Sequence, residues 1–135
     1  PPIYVLAAGE ELLRLAERWW RATREGEAAE EVLRRSRDRV LRIAAAELVD
    51  MIAGLLRDAM VLAAGAQRIA NEDKREFCWE LAQLLGIASL RELADRASRL
   101  QREILGNANL RLACEVFMLD LMAAARRARR GRVVV

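Results

Sequence analysis

The sequence predicts an all-α protein, and three observations support this fold class. Ala, Leu, Glu, Arg and Lys, which favour helices, make up well over half of the 135 residues. Both prolines stand at the N-terminus, so no helix interior after them is interrupted. Runs of β-branched residues bounded by turn residues, which indicate strands, are scarce. We therefore expect a single domain over residues 1–135, built as a compact bundle of about six helices.

The first half of the chain contains three predicted helices. The first spans about residues 6–24, and its adjacent Trp19 and Trp20 cannot both point into one core, so one of them should be partly exposed. The second spans residues 28–37 and the third about residues 38–64. The third helix is apolar nearly all round, which predicts a central position in the fold or burial against a partner.

The second half contains three more predicted helices, divided by glycines. A helix capped by Asn71 or Asp73 should run to about residue 85. The next begins at Ser89, because Ser89 and Glu92 have capping-box spacing, and it ends at residue 105. Gly86, between these two helices, marks the expected break.

The joint before the last helix is the most informative segment of the chain. Gly106 suits the left-handed conformation that ends many helices, and either Asn107 or Asn109 could cap the helix that follows, which runs to about residue 130. We favour Asn109, because apolar residues follow it directly: Leu110, Leu112, Ala113, Val116 and Phe117. By itself this pattern is an ordinary connection between two helices.

Three segments occur in an order that is typical of a known family. Residues 55–62 are LLRDAMVL, residues 69–73 are IANED, and residues 107–115 are NANLRLACE. They resemble, in turn, the Leu-Arg-Asp helix, the asparagine–aspartate connection and the Asn-x-Asn turn with its helix start in the delta-prime subunit of the bacterial DNA polymerase III clamp loader. The resemblance covers about residues 40–122.

The resemblance implies the C-terminal collar domain of such a subunit. Collar domains pack side by side, here against those of the delta and gamma/tau subunits, and hold the pentameric loader together in the cytoplasm. In this family the nucleotide-dependent fold and a Ser-Arg-Cys arginine finger lie in N-terminal modules, and neither Ser36-Arg37-Asp38 nor Ser98-Arg99-Leu100 matches that motif. We therefore expect a non-catalytic domain without cofactor or metal, with weak or absent DNA contact, which could self-associate when isolated.

The expected binding site is an apolar surface rimmed by arginine rather than a pocket. A charge in apolar surroundings is costly unless it is paired. Asp58 or Glu115 should therefore find an arginine or a helix-start amide on another helix or subunit, unless these acids lie exposed on a polar stripe. The candidate partner-binding residues are Trp19, Trp20, Arg57, Asp58, Asn107, Asn109 and Arg111.

An acidic constellation offers an enzymatic alternative. Glu27, Glu30, Glu47 and Asp50 have the E-x-x-E…E-x-x-D spacing of MazG-like all-α nucleoside triphosphate pyrophosphohydrolases. Carboxylates three residues apart share a helix face, and two such helices could hold Mg²⁺. The simpler interpretation is an acidic first turn on the second helix and a solvated stripe on the third.

A basic C-terminal tail suggests a third possibility, a nucleic-acid-binding domain. Its arginines could neutralise phosphates. However, no aromatic residue follows Phe117 to stack on bases, and cations are also favoured at a helix C-terminus. The five arginines, with no acid after Asp120, are Arg126, Arg127, Arg129, Arg130 and Arg132.

Other chemistry finds little support in the sequence. The chain contains no His, and Cys78 and Cys114 stand far apart in apolar helices, so we expect buried free thiols rather than a zinc site. Lys74 follows Asp73, so there is no Gly-Lys-Ser/Thr phosphate loop. No apolar run reaches the ~18 residues of a membrane span and no signal pattern is present. A start at Pro1 without Met leads us to expect a piece of a longer chain.

Overall fold

The computed structural model describes residues 3–24, 27–106 and 109–133, which are all-helical and contain no strand. These residues form five α-helices, and a short 3-10 helix (Glu72–Lys74) precedes the fourth. The helices are α1 (Ile3–Thr23), α2 (Glu27–Arg35), α3 (Arg37–Ala63), α4 (Arg75–Leu105) and α5 (Leu110–Val133). The all-α prediction is confirmed. Five α-helices replace the predicted six because the fourth and fifth predicted helices form one kinked element.

Four helices form a closed ring of pairwise contacts, and one of them, α3, packs against three other helices. The most extensive packing joins α3 to α4, while α1 contacts both α3 and α5, and α4 packs along α5. The shorter α2 packs on α3. The central position predicted for the third helix is therefore confirmed. The largest fully buried side chains come from α3, α4 and α5: Leu48, Leu90, Leu93, Leu100, Ile104, Val49, Cys78 and Cys114.

Gly86 produces the kink in α4. Its φ of 77° and ψ of 164° lie in a region that is open essentially only to glycine. The break predicted at this glycine is thus confirmed as a kink. Ser89, predicted to start a new helix, lies inside α4 instead, and the Glu92 carboxylate accepts a hydrogen bond from Arg127 of α5 at 2.8 Å.

The start of α5 follows the prediction. The side-chain oxygen of Asn109 accepts a hydrogen bond from the Leu112 backbone N–H at 3.0 Å, which satisfies a donor that the first turn of a helix leaves without a partner. Asn109 is therefore the cap that the sequence favoured. Asn107, the other candidate, lies outside the described residues.

Two other predictions about helix ends were wrong. Gly106 ends α4 with a φ of −93° rather than in the left-handed region, and its N–H donates to the Arg102 carbonyl at 2.9 Å. Neither Asn71 nor Asp73 caps α4, since the residue before this helix is Lys74, which makes no side-chain cap bond. Asn71 precedes the 3-10 helix and its side chain bonds elsewhere, as described below.

Both cysteines are buried and free, as predicted. Burial raises the pKa of the Cys114 thiol to about 11, with a smaller contribution from the Glu115 charge, and burial is also the main reason that the pKa of Cys78 is raised. Both groups are thus poor nucleophiles at neutral pH. None of the described helices combines the length and the apolar character that a bilayer crossing needs.

Candidate partner-binding surface

Asp58 on α3 is a buried carboxylate that the fold itself satisfies. It is 5% exposed and is the one buried charged side chain among the described residues. Its Oδ1 accepts a hydrogen bond from the Ala70 backbone N–H at 3.1 Å. Its Oδ2 accepts two more from Asn71, from the backbone N–H at 2.9 Å and from the side-chain amide at 2.7 Å. Ala70 and Asn71 lie in the connection before the 3-10 helix, so Asp58 is paired as expected, but with amides that precede a helix rather than with an arginine or a first-turn amide.

The same contacts control the protonation of Asp58. Burial alone would raise the pKa of this carboxyl group. The hydrogen bonds from the Asn71 side chain and from the Ala70 and Asn71 backbone outweigh burial, with help from the Arg57 charge, so the pKa lies below its usual value. Asp58 is therefore ionised at neutral pH, and it fastens the connection between α3 and α4 to the side of α3.

The tryptophan pair divides between core and surface, as predicted. Trp20 is 5% exposed, and the Arg24 guanidinium lies 4.9 Å from the centroid of its ring. Trp19 is half-buried as a residue, while its Nε1 is shielded from solvent and has no hydrogen-bond partner among the described residues. Trp19 is therefore the member of the pair that another molecule could contact.

The other sequence-predicted contact residues that the structure describes lie on α3 and at the start of α5. Arg57 is exposed on α3, and Asn109 is exposed at the start of α5. Arg111, also on α5, is exposed and pairs with Glu10 of α1 at 2.5 Å. Asn107 lies outside the described residues. The structure thus brings Asn109 and Arg111 together at one helix start and leaves Arg57 on a separate element.

Helices α1 and α5 approach each other closely at Gly9, a position that sequence reasoning missed. A Cβ added at Gly9 would lie 2.7 Å from the Glu115 Cγ, so a larger residue cannot fit without a shift of this side chain. The available signal was a glycine inside a helical pattern, which often marks a close contact.

The Mg²⁺ site of the predicted pyrophosphohydrolase would need four acids, and two of them form ion pairs with arginines. Arg21 donates to Glu30 at 2.8 Å, and Arg24 pairs with Glu47 at 2.9 Å. Asp50 is exposed, and the side chain of Glu27 lies outside the description. In the described part of the chain, no three His, Cys, Asp or Glu side chains are grouped so that they could hold a metal ion.

The outward face of α5 is apolar. Leu112, Val116 and Leu119 follow one another at spacings of four and three residues and are 58%, 47% and 40% exposed. These spacings place them on one face of the helix. We call these three residues the α5 stripe. The opposite face of α5 is also apolar but faces the core, through Ala113, Cys114, Phe117 and Ala124.

Arginines border the α5 stripe. Arg126 and Arg130 are exposed and continue the same helix face toward its C-terminus. On the side of α4, Arg96 and Arg99 line a groove together with Val116, but Glu103 and Asp120 line it as well, and Arg96 pairs with Asp120 at 3.8 Å. The stripe is thus an apolar surface with arginines toward its C-terminal end and mixed charges on the side of α4, and its apolar residues were not among the predicted contacts.

A second exposed surface on α4 is apolar and acidic. Phe77 and Leu84 are 48% and 44% exposed, and Glu80 lies between them on the same helix face. Glu76, one turn before Glu80, is exposed as well. We call Glu76, Phe77, Glu80 and Leu84 the α4 face. Sequence reasoning placed Phe77 and Leu84 in an apolar helix without indicating that they lie outside.

The fold and these surfaces define a helical module suited to contacts with other proteins. Residues 40–123, well over half of the chain, match the family described as DNA polymerase III, delta subunit, C terminal. The chain belongs to this family, and it is thus a C-terminal domain of a clamp-loader subunit. The matched span includes the α5 stripe, the α4 face and Asp58. No curated protein and no solved structure matches the chain.

Proposed function

We propose that this chain is a non-catalytic collar domain that holds a bacterial clamp loader together in the cytoplasm. The observation that carries the proposal is the family match over residues 40–123, because it covers the helices with both exposed apolar surfaces. We further propose a delta-prime-type subunit rather than a delta-type one. This finer assignment is supported by the three segments at residues 55–62, 69–73 and 107–115.

In this proposal the α5 stripe is the main contact with a neighbouring subunit. Contact would remove Leu112, Val116 and Leu119 from water, and burial of apolar surface contributes about 25 cal/mol per Å². The arginines at the border would orient the partner and accelerate encounter more than they add affinity. ATP use and clamp opening would belong to other modules of the loader.

The sequence-predicted residues take different roles in this proposal. Asn109 and Arg111 stand beside Leu112, so we extend the contact surface to them. Trp19 and Arg57, on α1 and α3, are proposed contacts for a second neighbour. Trp20 and Asp58 are buried, so we assign them to holding those helices in place.

Co-elution tests the proposed function. The chain would be mixed with the delta and gamma/tau subunits and analysed by size-exclusion chromatography, and we expect it to elute with them in one complex. Failure to associate would contradict the proposal. Mg²⁺-dependent hydrolysis of nucleoside triphosphates that Glu47→Ala abolishes would favour the pyrophosphohydrolase instead. Salt-sensitive DNA binding that is lost on removal of residues 126–132 would favour a nucleic-acid-binding domain.

A further inference from the structure

A cavity of about 510 Å³ lies beside the 3-10 helix, at the start of α4. Leu62 of α3 and Trp79 of α4 are its apolar residues, and Trp79 is 49% exposed. We call it the Trp79 cavity. The other residues that line it are charged: Glu72, Asp73, Arg75 and Glu76. An accessible aromatic ring beside carboxylates is suited to an organic cation, because the ring face and the carboxylates both attract positive charge.

Arg75 brings positive charge to the cavity, but this charge is paired with Glu72. The Arg75 Nε and Nη2 atoms donate to the Glu72 carboxylate at 2.9 Å and 2.6 Å, and Nη2 also donates to the Gln67 carbonyl. The hydrogen bonds from Arg75 lower the pKa of Glu72. Lys74, on the 3-10 helix, is exposed and is not one of the residues that line the cavity. The charges of Glu72 and Arg75 therefore cancel within the cavity.

The other two acids of the cavity, Asp73 and Glu76, are not paired in this way. Neither forms an ion pair within the residues that the structure describes, and no cation lies over the Trp79 ring among them. The described acids are also not grouped to hold a metal ion. The cation that fits this cavity is therefore a larger group, which reaches the ring and the two carboxylates at separate points.

The chain contains a complete site of this kind at Trp20. The Arg24 guanidinium lies 4.9 Å from the centroid of the Trp20 ring and pairs with Glu47 at 2.9 Å. A planar guanidinium can stack on a ring while the N–H groups at its edge donate to carboxylates, and the compact ammonium of lysine lacks this geometry. The Trp79 cavity has the ring and the acids of this arrangement and lacks the arginine.

We propose that the Trp79 cavity binds an arginine side chain of a partner protein. The guanidinium stacks on Trp79, and its N–H groups donate to Asp73 and Glu76. Trp and Arg side chains often supply much of the binding energy of an interface, especially where one of them fills a pocket. Charge complementarity favours a protein over a nucleic acid here, since the acids repel phosphates.

Asp58 holds one wall of the cavity in place before a partner binds. Its carboxylate accepts hydrogen bonds from the backbone of Ala70 and Asn71, and Asn71 directly precedes the 3-10 helix that carries Asp73. A wall that is ordered in advance lowers the entropic cost of binding.

Titration with a short arginine peptide, followed by NMR of the isotope-labelled whole chain, tests the proposal. The probe is acetyl-Gly-Arg-Gly-amide, and the matched control is the same peptide with citrulline, which keeps the shape of arginine but is neutral. The chain has three tryptophans, so three indole N–H signals report on binding. We expect the Trp79 signal to shift and saturate with a Kd on the order of a few millimolar, because one side chain supplies only part of an interface. The Trp20 signal should stay unchanged, since Arg24 already lies over that ring.

The peptides should bind in a fixed order of affinity. We expect the citrulline peptide to bind at least about tenfold more weakly than the arginine peptide, and a lysine peptide about threefold more weakly. A Trp79 signal that does not move up to about 20 mM arginine peptide, well above the expected Kd, would overturn the proposal. Equal affinity for the citrulline or the lysine peptide would also overturn it, because the cavity would then not recognise the guanidinium.

This inference does not depend on the proposed function. A chain that does not bind the arginine peptide can still co-elute with clamp-loader subunits through the α5 stripe, and a chain that binds the peptide can fail to co-elute. The two failures are therefore distinguishable.

Two variants with matched controls locate the site. Trp79→Leu should weaken binding of the arginine peptide by about tenfold, read from the backbone amide signals of Asp73 and Glu76. Its control is Phe77→Leu, which removes a ring that is 48% exposed but does not line the cavity. Glu76→Gln should weaken binding several-fold, whereas Glu80→Gln, which changes an exposed acid one turn further along α4, should have little effect. All four positions are exposed, so each variant should fold. Equal effects of a variant and its control would contradict the proposed site.

Discussion

Asp58 and the α5 stripe depart in opposite ways from the usual distribution of polar and apolar side chains. Asp58 is charged and 5% exposed, whereas Leu112 is apolar and 58% exposed. Ala70 and Asn71 of the same chain satisfy the buried carboxylate with three hydrogen bonds. Within the described residues, the stripe has no comparable cover. The fold therefore accounts for the buried charge, whereas the exposed apolar residues are the ones that we propose a partner outside the chain would cover.

Mutations at Asp58 and at the α5 stripe are therefore expected to change different properties of the domain. Changes at Asp58 should lower the stability of the domain, because they remove contacts within the chain. Changes at the α5 stripe should lower affinity for other proteins and leave stability nearly unchanged, since exposed positions contribute little to folding.

The largest stability effect is expected for Asp58→Ala. Loss of the carboxylate leaves three donors of Ala70 and Asn71 without an acceptor, and we expect the free energy of unfolding to fall by about 2–4 kcal/mol. Urea denaturation followed by circular dichroism measures this change. The matched control is Arg57→Ala, the exposed neighbour, with an expected effect below about 0.5 kcal/mol. Equal effects at the two positions would contradict the role assigned to Asp58.

A smaller effect is expected on the inner side of α5, at its contact with Gly9. The added methyl group of Gly9→Ala would lie 2.7 Å from the Glu115 Cγ. Crowding lowers the free energy of unfolding by about 1–3 kcal/mol, and the better helix propensity of alanine raises it by about 1 kcal/mol. We therefore expect a net loss of stability of about 1 kcal/mol. In Gly54→Ala the nearest atom, the Asn71 Nδ2, lies at an ordinary 3.6 Å. That variant should gain up to about 1 kcal/mol from propensity, and the two thermal midpoints should shift in opposite directions.

The smallest effect concerns pH. The pKa of Asp58 is lowered from its ordinary 3.8, so its contribution to stability is complete above that value and is lost as pH falls through the lower folded pKa. Asp58→Asn lacks this contribution at every pH. The difference in unfolding free energy between wild type and Asp58→Asn should stay constant near neutrality and shrink below about pH 4. A difference that grows on acidification would contradict the assigned pKa direction.

Local signals in the sequence predicted much of the fold. The break at Gly86, the cap at Asn109 and the unequal burial of Trp19 and Trp20 each depend on the chemistry of one or two adjacent residues. The conformation of Gly106 could not be predicted in the same way. A glycine permits the left-handed region without requiring it, and here the helix ends with a hydrogen bond to Arg102 at negative φ.

Contacts between distant segments were harder to predict. Asn71 was one of the two residues expected to cap α4, but its side chain bonds to Asp58, thirteen positions earlier. The α5 stripe was missed because α5 is apolar on two opposite faces. Periodicity identifies a helix of this kind but does not say which face meets the core, and only the packing of α5 against α1 and α4 decides this.

Affinity for the other clamp-loader subunits tests most directly whether the α5 stripe is the contact surface. The measurement compares the wild-type chain with Val116→Glu and with a matched control, Val32→Glu, which changes a valine of α2 that is 48% exposed, nearly the same as Val116 at 47%. A residue at the centre of an interface typically contributes about 2 kcal/mol or more, so we expect Val116→Glu to raise the Kd by about 30-fold or more and Val32→Glu to change it by less than about twofold. Equal affinities for the two variants would contradict the account.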